Sequence, residues 1–260
     1  MHIMIFDIDG TLTHSQPAEI KTESGYHTFA YWPLLSEYFA QDALRLREAA
    51  TRWDASDKGT DDDFIKSSHQ MLQEGIAMFK PGVTSESMRA QAKKITTDFI
   101  KQGIIREGAL EFLLTCLKQG DLCILSTGSY EDGAQGFVDA LKACAPTSAW
   151  GRVLVSGAQI DWPSRKVIHA NIAKNKQVGL LEVLKKQIPP ITLETSNITG
   201  IFVDDPFGND SGLCELCPSK VFVMQTHREL DLERLRESGY RLFRHWQALN
   251  AQNSALTLTG

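Results

Sequence analysis

The chain opens on an apolar run that stops at two acids. His2-Ile3-Met4-Ile5-Phe6 leads into Asp7-Ile8-Asp9-Gly10-Thr11. An apolar run of this length with no polar alternation reads as a strand buried on both faces, the habit of parallel sheets, and the Gly-Thr after it reads as a turn. A parallel neighbour must be reached by a crossover, usually a helix, so this one segment already selects an α/β architecture. It also raises a cost. Two carboxylates at a buried strand end are unfavourable unless something cationic holds them. The C-terminal edge of the strands is where open α/β sheets bind ligands. Clustered carboxylate oxygens suit a hard cation such as Mg²⁺.

The rest of the sequence keeps that rhythm. Strand candidates are His2–Phe6, Leu122–Leu125, Val153–Ser156, Gly200–Val203 and Val221–Met224, with a weaker one at Arg241–Arg244. Helical spacing of apolar residues fills the gaps, over Ala109–Lys118, Gly136–Lys142 and Val178–Lys186. The expected fold is α/β, a doubly wound, Rossmann-like parallel sheet with helices on both faces and right-handed crossovers. One connection breaks the pattern. Between His14 and Gln102 no strong strand pattern appears, only helical stretches at Leu34–Ala50, Asp62–Phe79 and Ser85–Lys101. A structureless loop of that length is implausible in a compact domain. The expected division is therefore a core from residues 1–13 and 105–260 and an inserted α-helical cap from residues 14–104, set above the sheet edge. Asp61-Asp62-Asp63 reads as a helix N-terminus, where negative charge is favourable.

Composition narrows the partners. The 260 residues carry a net charge of −5, which argues against a general nucleic-acid surface. No apolar run approaches the ~20 residues of a membrane span. A cleaved leader of roughly 15–30 residues would remove Asp7 and Asp9 with it. The five cysteines, Cys116, Cys123, Cys144, Cys214 and Cys217, are odd in number and partly in apolar segments. That suits a reducing compartment, so a cytoplasmic location is expected. The sequence does not specify an oligomeric state.

Four polar features fall at or near predicted strand ends. They are Asp7-Ile8-Asp9-Gly10-Thr11; Ser126-Thr127-Gly128 directly after Leu125; Lys176 at a helix start; and Asp204-Asp205, followed by Asn209 and Asp210. Parallel strands would gather all four at one edge. Phosphoryl transfer is the chemistry such a set supports. An ionised aspartate attacks phosphorus and divides a hard hydrolysis into two steps. A metal ion screens the carboxylate from the incoming anion. The hydroxyls of Ser126 and Thr127 with nearby N–H groups hold phosphoryl oxygens, and an ammonium offsets more of the charge. A second carboxyl protonates the leaving alcohol and then activates water, help worth about 10²–10⁴-fold. For the ammonium, Lys176 is preferred to Lys174 because Leu180, Leu181 and Leu184 follow it at helical spacing; Lys166 is a distant third.

The four features in this order resemble the motifs of the haloacid dehalogenase superfamily, over roughly residues 1–13 and 105–245. The resemblance implies a nucleophile at Asp7 and an acid/base residue at Asp9. It implies Mg²⁺ held by the Asp7 carboxylate, the Asp9 main-chain carbonyl and Asp205, with Asn209 preferred to Asp210 in support and Asp204 direct or one step removed. An acid at position 9 points to phosphoester hydrolysis or phosphoryl mutation rather than dehalogenation. The helical insert, Gly108 and Ser126 resemble the phosphoserine-phosphatase-like branch, although Thr127 stands where that branch often has glycine. The implied function is a Mg²⁺-dependent phosphomonoester hydrolase acting on a small phosphorylated metabolite. The alternatives are a phosphatase for a phosphotyrosine side chain or a phosphoinositide, a sugar phosphomutase, and a non-catalytic binding relative.

Other features carry bland readings. Cys214-Glu215-Leu216-Cys217 lacks the partners of a zinc site. His14 is expected at the surface or in packing, with substrate contact the alternative; Trp150 and Trp162 are expected to pack, Arg45, Arg47 and Arg52 to form a solvated helix face, and the aromatics of residues 26–32 with Tyr38 and Phe39 to join a core.

Overall fold

The computed structural model describes residues 1–14, 31–54, 59–226 and 230–249. The described strands form a seven-stranded sheet. These are β1 (Ile3–Asp7), β2 (Leu122–Tyr130), β3 (Val153–Asp161), β4 (Lys166–His169), β5 (Ile198–Val203), β6 (Val221–Met224) and β7 (Arg241–Phe243). Their spatial order is β4-β3-β2-β1-β5-β6-β7, and every pair is parallel except β3–β4. This is the expected doubly wound sheet with one antiparallel edge strand added. β1 lies in the middle, with β2 on one side and β5 on the other. The winding reverses there, which makes the C-terminal end of β1 the topological switch point.

The continuous apolar character of β1 follows from this position. Met4 and Phe6 enter one hydrophobic cluster, Ile3 and Ile5 another. On the first face lie α5 (Ala109–Gln119) and α6 (Glu131–Cys144); on the second lies α7 (Lys174–Lys185), through Leu180 and Leu184. Phe6 stacks on Phe202 at 5.0 Å, and Phe112 and Trp246 close around the pair. Each such side chain is worth about 1.5–3 kcal/mol of burial.

Among the described residues between β1 and α5 run four α-helices: α1 (Tyr31–Phe39), α2 (Ala43–Asp54), α3 (Asp61–Ala77) and α4 (Ser85–Lys101). The single helix expected over Leu34–Ala50 is two, broken at residues 40–42. Thr60 and Asp63 form a capping box at the start of α3, so the acidic run does mark a helix N-terminus. The chain leaves and re-enters at one place, where His14 N–H donates to Ile104 O and Arg106 N–H donates to Leu12 O, both at 2.9 Å.

These helices are fastened to the sheet layers on two sides. Gly136 of α6 lets α4 approach so closely that a Cβ there would sit 2.3 Å from the Arg89 carbonyl oxygen. Beside it Arg89 makes a bidentate pair with Asp139, at 2.5 and 2.9 Å. On the other side Gln73 of α3 bonds Val167 N and Arg165 O, and Arg165 donates to the carbonyls of Ile76 and Phe79. Short β4, overlooked in the sequence, is the strand that α3 grips.

Among the remaining features, Cys214 is buried, Cys217 is half-buried, and all five cysteines are free. Trp150 and Trp162 pack with their indole N–H groups on Ala145 O and Asp132. Arg47 pairs with Glu37, and Phe39 is buried whereas Tyr38 is exposed. Residues 26–30 of the aromatic stretch lie outside the described residues. Among the described residues no helix is long and apolar enough to cross a membrane.

Candidate active site

Register brings the first two features together. Asp7 of β1 is the direct partner of Ser126 in β2. β5 ends at Val203, so Asp204 emerges on the opposite flank of β1. After Asp7 the chain makes one tight turn, Ile8–Leu12, with Gly10 at φ +83°. A Cβ on Gly10 would lie 2.1 Å from Asp204 Oδ2, so glycine is needed for its conformation and for the close carboxylate.

Asp7 is fully buried. Its Oδ1 accepts from Lys176 Nζ at 2.7 Å and its Oδ2 accepts from Thr11 Oγ1 at 3.2 Å. Lys176, also fully buried, donates in addition to Asp210 Oδ1 in a short contact. Carboxylate oxygens of Asp7, Asp204 and Asp210 all lie within 4.8 Å of one another. Burial pushes the Asp7 carboxyl up to about 7; Lys176 opposes the rise, and Asp204 and Asp9 add to it. Burial raises Asp210 as well, with the nearby Asp7 charge acting in the same direction. Burial works against the charge of Lys176, but Asp210 and Asp7 together hold it above its ordinary value. The ammonium therefore stays charged between acids that resist ionising together.

Behind this group the ends of β2 and β3 are tied by Asn171. Its buried amide donates to Thr127 O at 2.9 Å, Ser156 O at 3.1 Å and Ser126 Oγ at 3.3 Å, while its Oδ1 accepts from Ser156 Oγ. Two residues on, Ala173 takes φ +49° and its N–H donates to Asn209 O. That bond joins the loop before Lys176 to the loop after β5. A non-glycine residue held in this region is locally strained, as is common where a site over-determines its backbone.

Asp205 does not join the acidic group; Asp204 does. The Asp205 carboxylate instead caps its own loop, Oδ2 accepting Asn209 N–H at 3.0 Å. Asp210 pairs with Lys176, and the Asn209 side chain lies toward Gly128. The Thr127 hydroxyl is occupied by Asp9 Oδ2 at 3.0 Å. Lys174 pairs with Asp61 of α3 at 3.4 Å, and Lys166 is exposed on β4. The reading missed Asn171. Its signal was a lone amide among Ala170, Ile172 and Ala173, a polar group that burial obliges to bond.

Residues 4–152 match the family model for haloacid dehalogenase-like hydrolases. The chain belongs to that family. A comparison with curated proteins finds no match. Solved structures share the fold at low identity. A cytosolic 5'-nucleotidase IIIB bound to cytidine has a TM-score of 0.60 at 13% identity, covering 99% of this chain and 87% of that one. A substrate-bound phosphoserine phosphatase has a TM-score of 0.54 at 13% identity, covering 96% and 97%. A phosphoserine phosphohydrolase-like protein from Francisella tularensis subsp. tularensis SCHU S4 has a TM-score of 0.52 at 17% identity, covering 97% and 99%. This haloacid dehalogenase-like chain thus shares its fold with these phosphatases and the nucleotidase.

The donor set fits the divalent cation that the family implies. It consists of oxygen atoms alone, from three carboxylates with Lys176 bonded to two of them. The buried Asn209 Oδ1 has no hydrogen-bond partner among the described residues, an acceptor that a cation or its water would satisfy.

Proposed function

We propose that this hydrolase is a phosphomonoester phosphatase that passes a phosphoryl group through Asp7. The observation that carries the reading is Asp7 itself. It is a buried carboxylate at the switch point of the sheet, held on both oxygens by Lys176 and Thr11, with the Asp9 carboxyl oriented close by. Asp7, Asp204 and Asp210 would hold Mg²⁺ with the Asp9 carbonyl, and the bound ion would supply charge neutralisation at the phosphoryl oxygens.

The residues divide the work as follows. Asp7 attacks phosphorus; the bond to the leaving alcohol breaks as the Asp7–phosphorus bond forms, and Asp9 gives its proton to the departing oxygen. Asp9 then takes a proton from water as the water oxygen bonds phosphorus and Asp7 is released. Ser126, beside Asp7 in register, holds a phosphoryl oxygen, and Lys176 offsets charge on Asp7. Residues 14–104 act as a cap that keeps water and bulky groups away. The packing of Phe64 against Ile172 and Ala173 supports this, because it sets α3 over the loop that leads to Lys176. A small phosphorylated metabolite is the substrate class that suits such cover.

The test is a magnesium-dependent phosphate-release screen over phosphorylated metabolites, phosphotyrosine peptides and phosphoinositides, with product analysis for isomerised sugar phosphates. Asp7→Asn should abolish turnover while the protein stays folded by circular dichroism. Asp9→Asn should slow turnover on alkyl phosphates by about 10²–10⁴-fold. Turnover surviving in Asp7→Asn would end the reading.

A further inference from the structure

We propose that Thr127 is not a phosphate ligand but the residue that orients Asp9 for proton delivery. The inference rests on the phosphatase reading above and assigns a role inside that site.

A threonine hydroxyl has one proton to give and lone pairs to receive. The Thr127 Oγ1 receives the backbone N–H of Ser129 at 3.0 Å, which fixes the hydroxyl as an acceptor on that side. Its single proton is then committed to Asp9 Oδ2, also at 3.0 Å. Thr127 is 1% exposed, so water does not compete for that proton. The backbone is held as firmly, because the Thr127 carbonyl receives the Asn171 amide at 2.9 Å. The hydroxyl is therefore a fixed donor, positioned by a backbone N–H on one side and by a buried amide behind it.

For a carboxyl that must give and take a proton, this has a definite consequence. An oxygen that accepts from Thr127 is the one left bare when the acid is protonated. Oδ1 is then the oxygen that carries the proton to the leaving group and later receives one from water. Ser126, by contrast, has its Oγ near the Asn171 amide, an acceptor role that leaves its own proton to donate. Adjacent hydroxyl residues on β2 thus serve different ends, Ser126 the phosphoryl oxygen and Thr127 the acid.

The experiment compares Thr127→Val, which keeps shape and removes the proton, with Thr127→Ser, which keeps the proton. Two substrates are used: glycerol 2-phosphate, whose alkoxide needs protonation, and p-nitrophenyl phosphate, whose phenolate leaves without it. Thr127→Val should lose about 10–100-fold in kcat/KM on the alkyl ester, a part of the full acid–base term, and less than about threefold in kcat/KM on the aryl ester, because that ratio excludes the later water step, which both esters share. Inhibition by inorganic phosphate should be unchanged, and Thr127→Ser should restore the alkyl rate. In an Asp9→Asn background, Thr127→Val should add no further loss. Weaker inhibition by phosphate with equal losses on both esters would make Thr127 a phosphate ligand and overturn the proposal. So would wild-type rates in Thr127→Val, or a full additional loss in the Asp9→Asn background. If Thr127→Val does not fold, Thr127→Ala removes the same proton and carries the same comparison. Asp7→Asn separates the two claims: activity there defeats the phosphatase reading, whereas an inactive Asp7→Asn with an indifferent Thr127→Val defeats this inference alone.

Discussion

At the scale of single residues the site is a problem of charge held out of water. Lys176 stands between Asp7 and Asp210, and all three are buried. Replacing it with methionine leaves two facing carboxylates without their cation. Urea unfolding of Lys176→Met should show a loss of about 3–5 kcal/mol, as for other broken buried pairs. Gly10→Ala tests the neighbouring carboxylate. The added Cβ meets Asp204 Oδ2 and a backbone at positive φ, so Asp204 must move. Half-saturation for Mg²⁺, read from activity or calorimetry, should rise about 10–100-fold, as for lost supporting contacts at other metal sites. Most of this chemistry was readable from residue type and spacing, because an apolar run ending in acid has few physical explanations. Spacing alone does not separate the two members of the Asp204-Asp205 pair. One member serves the acidic group and the other caps a loop, and only the loop's path decides which.

Elements obey the same division between local pattern and tertiary contact. Strands β1, β2, β3, β5 and β6 were legible because burial on both faces leaves unbroken apolar runs. β4 was not, since of Lys166-Val-Ile-His only Val167 is buried and its register comes from β3 and α3. Nothing in the sequence shows that α4 rides on α6, because Gly136 reads as a weak helical position until the Arg89 carbonyl appears above it. Gly136→Val should push the two helices apart and cost about 1–3 kcal/mol in denaturant unfolding, the range for overpacking. The neighbouring Arg89–Asp139 pair gives a gentler test. Its hydrogen bonds to Arg89 hold the Asp139 carboxyl below its ordinary value. The folded form therefore binds that proton less readily than the unfolded chain. The contribution is complete above the ordinary aspartate value and drains away as pH falls through the lowered one. Both side chains are partly exposed, so the term is at most about 1 kcal/mol. Arg89→Ala should lower the neutral plateau of a Tm-against-pH curve by that small amount and flatten its acid limb, the two curves meeting at low pH.

For the whole molecule, the acidic group is a cost that a ligand can offset. A cation that binds the folded chain and not the unfolded one stabilises it by mass action, about 2.7 kcal/mol at a hundred times Kd. Scanning calorimetry should show Tm rising with added Mg²⁺ and falling back with a chelator. Asp204→Asn should blunt that response.

The middle position of β1 also sets a timetable. The strand bearing Asp7 is made first, yet its neighbours begin near Leu122 and Ile198, and Asp210 follows later still. At ordinary ribosomal speeds of about 5–20 residues per second, Asp7 waits on the order of tens of seconds for its ammonium partner's second acid. A nascent chain stalled before that point has Asp7 but not the finished surroundings that hold it. Activity in a synchronised translation should therefore appear late and in a single step.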